Sequence, residues 1–204
     1  MQPNVTIILP VYNVEPYLRQ CLDSVVKQTM REIQIICVND GSTDGSLAIL
    51  EEYAAKDSRM MITNQGNQGA GSARNAAFPH IQGKYTYFVD PDDWIDLHLC
   101  EKLFKCAEET QAEIVYLNYF RVNQFGKTIS PGRHYFLKNE VLLPDAIKKA
   151  VLHISATPTC RKFWCSHFLL EHQITFSDGK HPFNDTLQGW KGVVHAQKIA
   201  VLDE

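Results

Sequence analysis

Short apolar runs alternate with helical patterns along the first half of the chain, and this alternation constrains the fold more than any other feature. The runs at residues 6–9, 33–38, 60–63 and 85–89 are rich in β-branched, aromatic or other apolar side chains, as buried strands are. Between them, apolar residues recur at three- and four-residue intervals, which is typical of one face of a helix. Strands that alternate with helices predict parallel βαβ units with both faces of the sheet covered.

The second half of the chain continues this pattern less regularly. Residues 113–120 and 199–202 predict two further strands, and residues 144–153, 166–172 and 186–195 predict helices. With 204 residues and 45% hydrophobic content, the chain is long enough to bury one good core. We therefore predict one α/β domain whose mainly parallel central sheet is flanked by helices.

The composition argues against two classes of protein. The chain has 20 Lys and Arg against 23 Asp and Glu, so its formal net charge is −3 and binding to nucleic acid through phosphate neutralisation is not supported. No apolar run approaches the roughly 18 residues that span a bilayer, and the N-terminus lacks the charged segment of a secretion signal. We therefore expect a cytoplasmic protein.

The cysteines of this chain do not form a recognisable motif. Six occur, with no CxxC pair, and several lie inside strand or helix patterns where a small apolar residue would serve. Reduced thiols that pack in the core are therefore favoured over disulfides or zinc ligands.

Polar residues cluster where three of the predicted strands end, at residues 10–13, 39–44 and 90–94. In an open α/β sheet, the loops at the carboxyl ends of the strands converge and bind ligands. The cluster at 39–44 fits such a binding loop. It fits equally a turn that caps the following helix, in which Gly41 takes a positive φ.

The third cluster contains three carboxylates within four residues, Asp90, Asp92 and Asp93. They repel one another unless a cation or several donors neutralise them. Ligands that offer only oxygen favour a hard ion such as Mg²⁺ or Mn²⁺, which commonly bridges a few carboxylates to a substrate diphosphate. An acidic helix N-terminus would explain Asp92 and Asp93 but not Asp90 at the strand end, so we predict a divalent metal site.

The chain also carries an ordered set of segments that resembles a known family. The segments are TIILPVYN, LDSVVKQT, VNDGSTDGS, NQGNQGAGSARNAA and GKYTYFVDPDDW. Together they resemble the inverting, bacterial-type family 2 glycosyltransferases over residues 4–120. The resemblance implies a fold of the GT-A type, with a nucleotide-sugar-binding α/β half at residues 1–120. Residues 121–204 would form a smaller acceptor-side segment of the same domain.

The resemblance implies a nucleobase site at the first two strand exits. Asp40 matches the carboxylate that accepts a hydrogen bond from the uracil N3 of a sugar nucleotide. Pro10 and Tyr12 match the residues that wall the base, and Gly41 would let the backbone pass close to it. We prefer turn and capping roles for the neighbouring Ser42 and Asp44.

A diphosphate and metal site is implied next to the base. Asp90-Pro91-Asp92 matches the DxD motif of the family: Asp90 would contact the ribose or the metal, and Asp92 would ligate the Mn²⁺ or Mg²⁺ that carries the diphosphate. Arg74 matches the arginine expected near the ribose or the diphosphate, with a surface ion pair as the alternative.

The last third of the chain matches the family more loosely. Asp185 takes the place of the catalytic base, and Asn184 stands where the family usually has a glutamate. His181 is an alternative base, and Trp190 falls at a frequently aromatic position for which core packing is an equal explanation. Family members usually continue beyond the position of Glu204, so a trimmed chain and a short member both fit this ending.

The resemblance implies an enzyme that transfers a sugar from a nucleotide-sugar donor to a hydroxyl group. The family favours a UDP-linked donor. The acceptor would be a glycan or a lipid-linked saccharide, and Asp185 would remove the acceptor proton as the anomeric centre inverts. Peripheral association with the inner face of the membrane stays open, as does the oligomeric state.

Rival functions make different demands on the sequence. A non-catalytic nucleotide-sugar-binding protein of the same fold is consistent with Asn184 and stays an alternative. A nucleotidyltransferase would need a glycine-rich, basic loop after the first strand, which PVYNVEPY lacks. A receiver-type phosphorylation domain would need a lone aspartate target and a late-strand lysine in a shorter chain, so the fit is poor.

Overall fold

A computed structural model describes residues 2–123, 128–131, 140–155, 157–178 and 184–202 of the chain. Within these residues the α-helices are α1 (Glu15–Val26), α2 (Ser46–Ala54), α3 (Ala70–Ala76), α4 (Leu99–Thr110), α5 (Pro144–Ser155), α6 (Ser166–Glu171) and α7 (Asn184–His195). The strands are β1 (Val5–Val11), β2 (Ile33–Asn39), β3 (Met60–Asn64), β4 (Tyr85–Phe88), β5 (Ile114–Leu117), β6 (Phe120–Val122), β7 (Thr128–Pro131), β8 (Val141–Leu142), β9 (Lys162–Cys165) and β10 (Ile199–Leu202). Two 3₁₀ turns cover Phe78–His80 and Thr159–Arg161.

Eight of these strands form one central sheet in the order β3-β2-β1-β4-β9-β5-β10-β8. The pairs β1–β2, β1–β4, β2–β3 and β5–β10 are parallel, whereas β9 runs antiparallel to both of its neighbours and β8 runs antiparallel to β10. The predicted α/β fold with a mainly parallel sheet flanked by helices is therefore confirmed.

The side chains of β1 alternate between two apolar cores. Ile7 and Leu9 pack in one core with residues from α1, α2 and α4, and Ile8 packs in the other with residues from α3, α5, α6 and α7. Alternation is expected because successive side chains of a strand point to opposite faces of the sheet. Burial on both faces explains why β1 and β2 read as continuous apolar runs.

Several elements differ from the sequence-based prediction. The strand predicted at 113–120 ends at Leu117, and Phe120 begins β6, which pairs with β7 in a separate two-stranded sheet. Leu97 precedes α4 and is exposed. We did not predict β9, because its four residues begin with a lysine and are too few to show the period of a strand.

Pro10 lies inside β1 and does not end it. The Ile8 carbonyl oxygen accepts from the Val89 N–H, so this side of β1 faces β4, and the nitrogen of Pro10 points the same way. Because β4 ends at Phe88, the N–H that proline lacks would have no strand partner there. The proline therefore costs no hydrogen bond of the sheet, and β1 extends to Val11.

In the part of the chain that the structure describes, no helix is both long and apolar enough to cross a membrane. The six cysteines are free thiols, and three of them, Cys21, Cys37 and Cys100, are buried in the core. Burial raises the pKa of each of these three thiols, so they stay protonated and pack as small apolar side chains.

Gly83 packs against the central strand so closely that a side chain would not fit. A Cβ there would lie 2.4 Å from the backbone nitrogen of Thr6, and the Gly83 N–H already donates to Thr6 Oγ1 at 2.9 Å. We expect Gly83→Ala to lower the free energy of unfolding by about 1–3 kcal/mol, because the backbone of β1 is held between two strands and cannot easily shift. Denaturant titration measures this loss.

Gly66→Ala is the matched control, since a Cβ at Gly66 would meet no atom within 4 Å. Its free energy of unfolding should stay within about 0.5 kcal/mol of wild type. Equal losses in the two variants would show that close packing at Gly83 is not the cause.

Candidate active site

The loops that follow β1 and β2 are joined by side-chain hydrogen bonds. Asn13, which has a φ of 49°, accepts from the Thr43 N–H at 2.7 Å, and its own N–H donates to Ser42 Oγ at 3.2 Å. The carboxylate of Asp44 accepts from the Glu15 N–H at the start of α1, and from the Ser46 N–H at the start of α2. These polar residues of VNDGSTDGS therefore hold the two strand exits together.

Asp40 fastens the glycine-rich loop between β3 and α3. Its carboxylate is 2% exposed and accepts from the Gln68 N–H at 2.9 Å, the Gly69 N–H at 2.8 Å and Gln65 Nε2 at 2.7 Å. A carboxylate can accept about four hydrogen bonds, so three of these sites are already filled. Only one acceptor position of Asp40 is left for a nucleobase, and the predicted contact with uracil N3 stays a prediction.

Gly41 and Tyr12 define the space around this loop. Gly41 has a φ of 74°, and a Cβ there would lie 2.9 Å from the backbone nitrogen of Asn67. Gly41 therefore allows a close approach of two loops within the chain, and its close approach to the base stays a prediction. Pro10 is buried inside β1, while Tyr12 beyond the strand is exposed and able to meet a ligand.

Arg74 joins two of the predicted functional carboxylates. Its Nη2 lies 2.6 Å from Asp90 Oδ1, and its Nη1 lies 3.1 Å from Asp185 Oδ1. The arginine side chain is 7% exposed, and the two carboxylates are 27% and 28% exposed. Arg74 is therefore not in the surface ion pair that we gave as its alternative.

A second set of contacts brings a later segment of the chain to the same place. The guanidinium of Arg74 lies over the ring of Phe176, at 5.1 Å from its centroid. The adjacent Asn75 donates to the Phe176 carbonyl oxygen at 3.1 Å and accepts from its N–H at 2.9 Å. The segment SARN on α3 therefore binds residues more than a hundred positions later in the chain, and sequence reasoning missed Phe176.

Asp185 lies in the first turn of α7, but its hydrogen bonds leave that helix. Besides Arg74, its carboxylate accepts from the Thr159 N–H at 3.2 Å, and Thr159 Oγ1 donates to Gln188 Oε1 at 2.7 Å. A side chain that capped α7 would instead direct its carboxylate to the N–H groups of that helix. His181 lies outside the described residues, and Trp190 on α7 is 37% exposed.

The acidic cluster at the end of β4 includes a residue that we did not predict. Asp90, Asp93 and Cys160 each place one possible ligand atom within 4.8 Å of the others, and Asp92 is exposed outside this group. Cys160 arrives because β9 is antiparallel, so that its amino end lies at the carboxyl ends of β4 and β5. Because β9 was not predicted, nothing in the sequence indicated that Cys160 would lie beside Asp90 and Asp93.

The charges of this cluster fit a hard divalent cation. Loss of solvent raises the pKa of Asp93 to about 6, and the charges of Asp90 and Asp92 contribute to the increase. Uncompensated negative charge therefore accumulates there, which a cation would neutralise. Burial raises the pKa of the Cys160 thiol, so it stays protonated and is a poor ligand, whereas the carboxylates suit Mg²⁺ or Mn²⁺.

Sequence reasoning also missed Lys162, the first residue of β9. It is fully buried, and burial lowers its pKa to about 7, while the charges of Asp185 and Cys160 oppose this decrease. The only signal in the sequence was the basic pair Arg161-Lys162.

Comparison with known proteins identifies similar chains. A family model described as Glycosyl transferase family 2 matches residues 6–171. Glycosyltransferase GlyA of Streptococcus pneumoniae serotype 4 is 46% identical over 132 residues, which make up 65% of this chain and 18% of that protein. Uncharacterized glycosyltransferase EpsJ of Bacillus subtilis is 33% identical over 214 residues, which cover 100% of this chain and 60% of that protein. The chain therefore spans less than two thirds of either relative.

Solved structures show the same arrangement of strands and helices. The structure of S. aureus TarS 1-349 in complex with UDP-GlcNAc matches with a TM-score of 0.81 and 26% sequence identity. The match covers 98% of this chain and 56% of the TarS chain.

Proposed function

The chain belongs to the family 2 glycosyltransferases, and from this membership we propose that it transfers a sugar from a UDP-linked nucleotide sugar to a hydroxyl group. The acceptor is a glycan or a lipid-linked saccharide, and the reaction takes place in the cytoplasm, at the inner face of the membrane when the acceptor is lipid-linked. The choice of UDP is supported by the likeness to TarS, which was solved with UDP-GlcNAc.

The observation that carries this proposal is the pairing of Arg74 with both Asp90 and Asp185. Asp90 follows a strand of the nucleotide-binding half, residues 1–120, while Asp185 comes from the acceptor-side segment, residues 121–204. A donor held at the first carboxylate would therefore lie beside a base at the second. Such a juxtaposition is what a single displacement between donor and acceptor requires.

In the proposed reaction, Asp185 accepts the proton of the acceptor hydroxyl as that oxygen attacks the anomeric carbon. Attack from the face opposite the nucleotide inverts the configuration, and UDP leaves without a covalent intermediate on the protein. A positioned general base contributes about 10²- to 10⁴-fold to such a step. The Thr159 N–H and Arg74 hold the Asp185 carboxylate in place through both of its oxygens.

Asp90 and Asp92, with Asp93 beside them, would hold a Mn²⁺ or Mg²⁺ ion at the end of β4. When bound, the cation would act as a Lewis acid that offsets the negative charge of the leaving diphosphate. Arg74 lies next to this position and would contact the diphosphate or the ribose, while Asp40, Pro10 and Tyr12 would contact the base.

UDP is expected to raise the melting temperature of the protein only when Mn²⁺ or Mg²⁺ is present, because nucleotide and cation share one site. Ligand at 100 times its dissociation constant stabilises the folded state by about 2.7 kcal/mol, which for a chain of this size corresponds to several degrees. Thermal melts with a panel of sugar nucleotides, with and without EDTA, measure the effect. Equal stabilisation in EDTA would contradict the metal site, and stronger stabilisation by another nucleotide would contradict the choice of UDP.

A non-catalytic nucleotide-sugar-binding protein remains the second candidate, because Asn184 stands where the family usually has a glutamate. The two candidates bind donor equally well and differ only in turnover. Release of UDP from the donor that stabilises the protein most, measured with and without a saccharide acceptor, separates them. Binding without any release would support the second candidate.

A further inference from the structure

Lys162 is a buried cation without a carboxylate at ion-pair distance among the residues that the structure describes. Its ammonium group donates to the Thr157 carbonyl oxygen and lies 6.0 Å from the centroid of the Tyr116 ring. Burying an ammonium group with so few partners is unfavourable, and a methionine of similar length would avoid the cost. A lysine buried at this position therefore needs an explanation other than stability.

The hydrogen bond from Lys162 to Thr157 lies two residues from the hydrogen bond that joins Thr159 to Asp185. Lys162 holds the backbone at Thr157, and two residues later the Thr159 N–H donates to Asp185 Oδ2. The hydroxyl of Thr159 also donates to Gln188, which lies one turn beyond Asp185 on α7. The segment 157–159 is thus bonded to Lys162 on one side and to the carboxylate on the other.

The backbone around Lys162 is shaped to admit its ammonium group. A Cβ at Gly189 would lie 3.1 Å from Lys162 Nζ and 2.0 Å from the Ser155 carbonyl oxygen. Glycine at this position therefore lets α7 come close to the end of α5, and the ammonium group of Lys162 lies next to this contact. The titratable groups that influence Lys162 are Asp185 on α7, and Cys160 and Arg161 before β9. The nearby ring is that of Tyr116 on β5.

We infer that Lys162 is a positioning residue for the transfer reaction, whose ammonium group holds residues 157–159 so that the Thr159 N–H fixes the carboxylate of Asp185. The inference rests on the proposed function, in which Asp185 is the base. Lys162 itself touches neither the proposed donor site nor the reacting atoms. Lys162 acts on Asp185 through the backbone of residues 157–159.

The test compares Lys162→Met with wild type. The variant keeps the length of the side chain and removes both the charge and the donor, so we expect kcat to fall about tenfold or more. The KM for the donor and the metal-dependent affinity for UDP should stay within about twofold, because the nucleotide site is untouched. The melting temperature should stay level or rise, since the cost of burying the charge is removed.

Tyr116→Phe is the matched control. Tyr116 is 2% exposed, and its hydroxyl donates to the Ile154 carbonyl oxygen at 2.9 Å, so the change disturbs the same end of α5 without altering a charge. We expect a lower melting temperature and a kcat close to wild type. A parallel loss of stability and kcat in both variants would mean that Lys162 only supports the fold, and would overturn the inference.

Hydrogen–deuterium exchange gives a readout that does not depend on turnover. In Lys162→Met the amides of Thr157, Thr159, Cys160 and Arg161 should exchange at least tenfold faster, while exchange in β1 and β2 stays unchanged. Unchanged exchange and unchanged kcat would overturn the inference. If wild type binds UDP without turnover, the proposed function fails, and the exchange result still decides whether Lys162 holds this segment.

Discussion

Asp185→Asn is expected to lower the transfer rate at least about 100-fold while metal-dependent binding of UDP stays close to wild type. The change keeps the size of the side chain and removes its ability to accept a proton. The side-chain oxygen of an asparagine can still accept a hydrogen bond from Arg74. Arg74, which also pairs with Asp90, therefore keeps its contact with residue 185. The proposed nucleotide site at the ends of β1, β2 and β4 is not altered. Initial rates of UDP release and isothermal titration with UDP and Mn²⁺ measure the two quantities.

Asp145→Asn is the matched control for this experiment. Asp145 lies in the first turn of α5 as Asp185 lies in the first turn of α7, and it is almost fully exposed. Its replacement should leave transfer unchanged. Asp92→Asn should behave differently from both, because the loss of a metal ligand weakens nucleotide binding and turnover together. Near-wild-type transfer by Asp185→Asn would remove Asp185 from the mechanism and direct attention to His181.

Asp40→Asn is expected to lower both the stability of the free protein and its affinity for UDP. Two N–H groups and one amide converge on the buried carboxylate, and an asparagine would turn its own NH₂ group towards one of them. A hydrogen bond to a charged group contributes about 1.5–3 kcal/mol, so the free energy of unfolding should fall by about 2–3 kcal/mol. For a chain of this size this corresponds to about 5–10 °C in melting temperature. Melting in the absence of ligand gives the first effect and titration with UDP the second.

The two readouts separate two roles of Asp40. If the carboxylate served only to accept from the base, Asp40→Asn would weaken UDP binding at an unchanged melting temperature. Gln65→Ala is the control, since it removes one of the three donors and leaves both backbone N–H groups bonded to Asp40. It should cost about 1 kcal/mol and leave most of the affinity for UDP.

The sequence by itself determined the fold class and the family. The apolar runs and the three- and four-residue intervals depend only on neighbours in the chain, and such local patterns correctly gave the first four strands and the helices between them. The ordered motifs likewise identified the family that the comparisons confirm. The residues proposed to bind base, metal and acceptor stay predictions, although the structure places Asp90, Arg74 and Asp185 in contact.

Only the tertiary structure decided how the two halves of the site meet. Arg74 and Asp185 are 111 residues apart, and their contact depends on β9, a four-residue strand that runs against its neighbours and was not predicted. The same strand brings Cys160 and Lys162 to the carboxyl ends of the parallel strands, and the three donors to Asp40 come from a loop beyond the next strand. Contacts of this kind depend on how strands pair and in which direction. The hydrophobic pattern of a segment specifies which of its faces are buried, but it does not specify the neighbour against which each face packs.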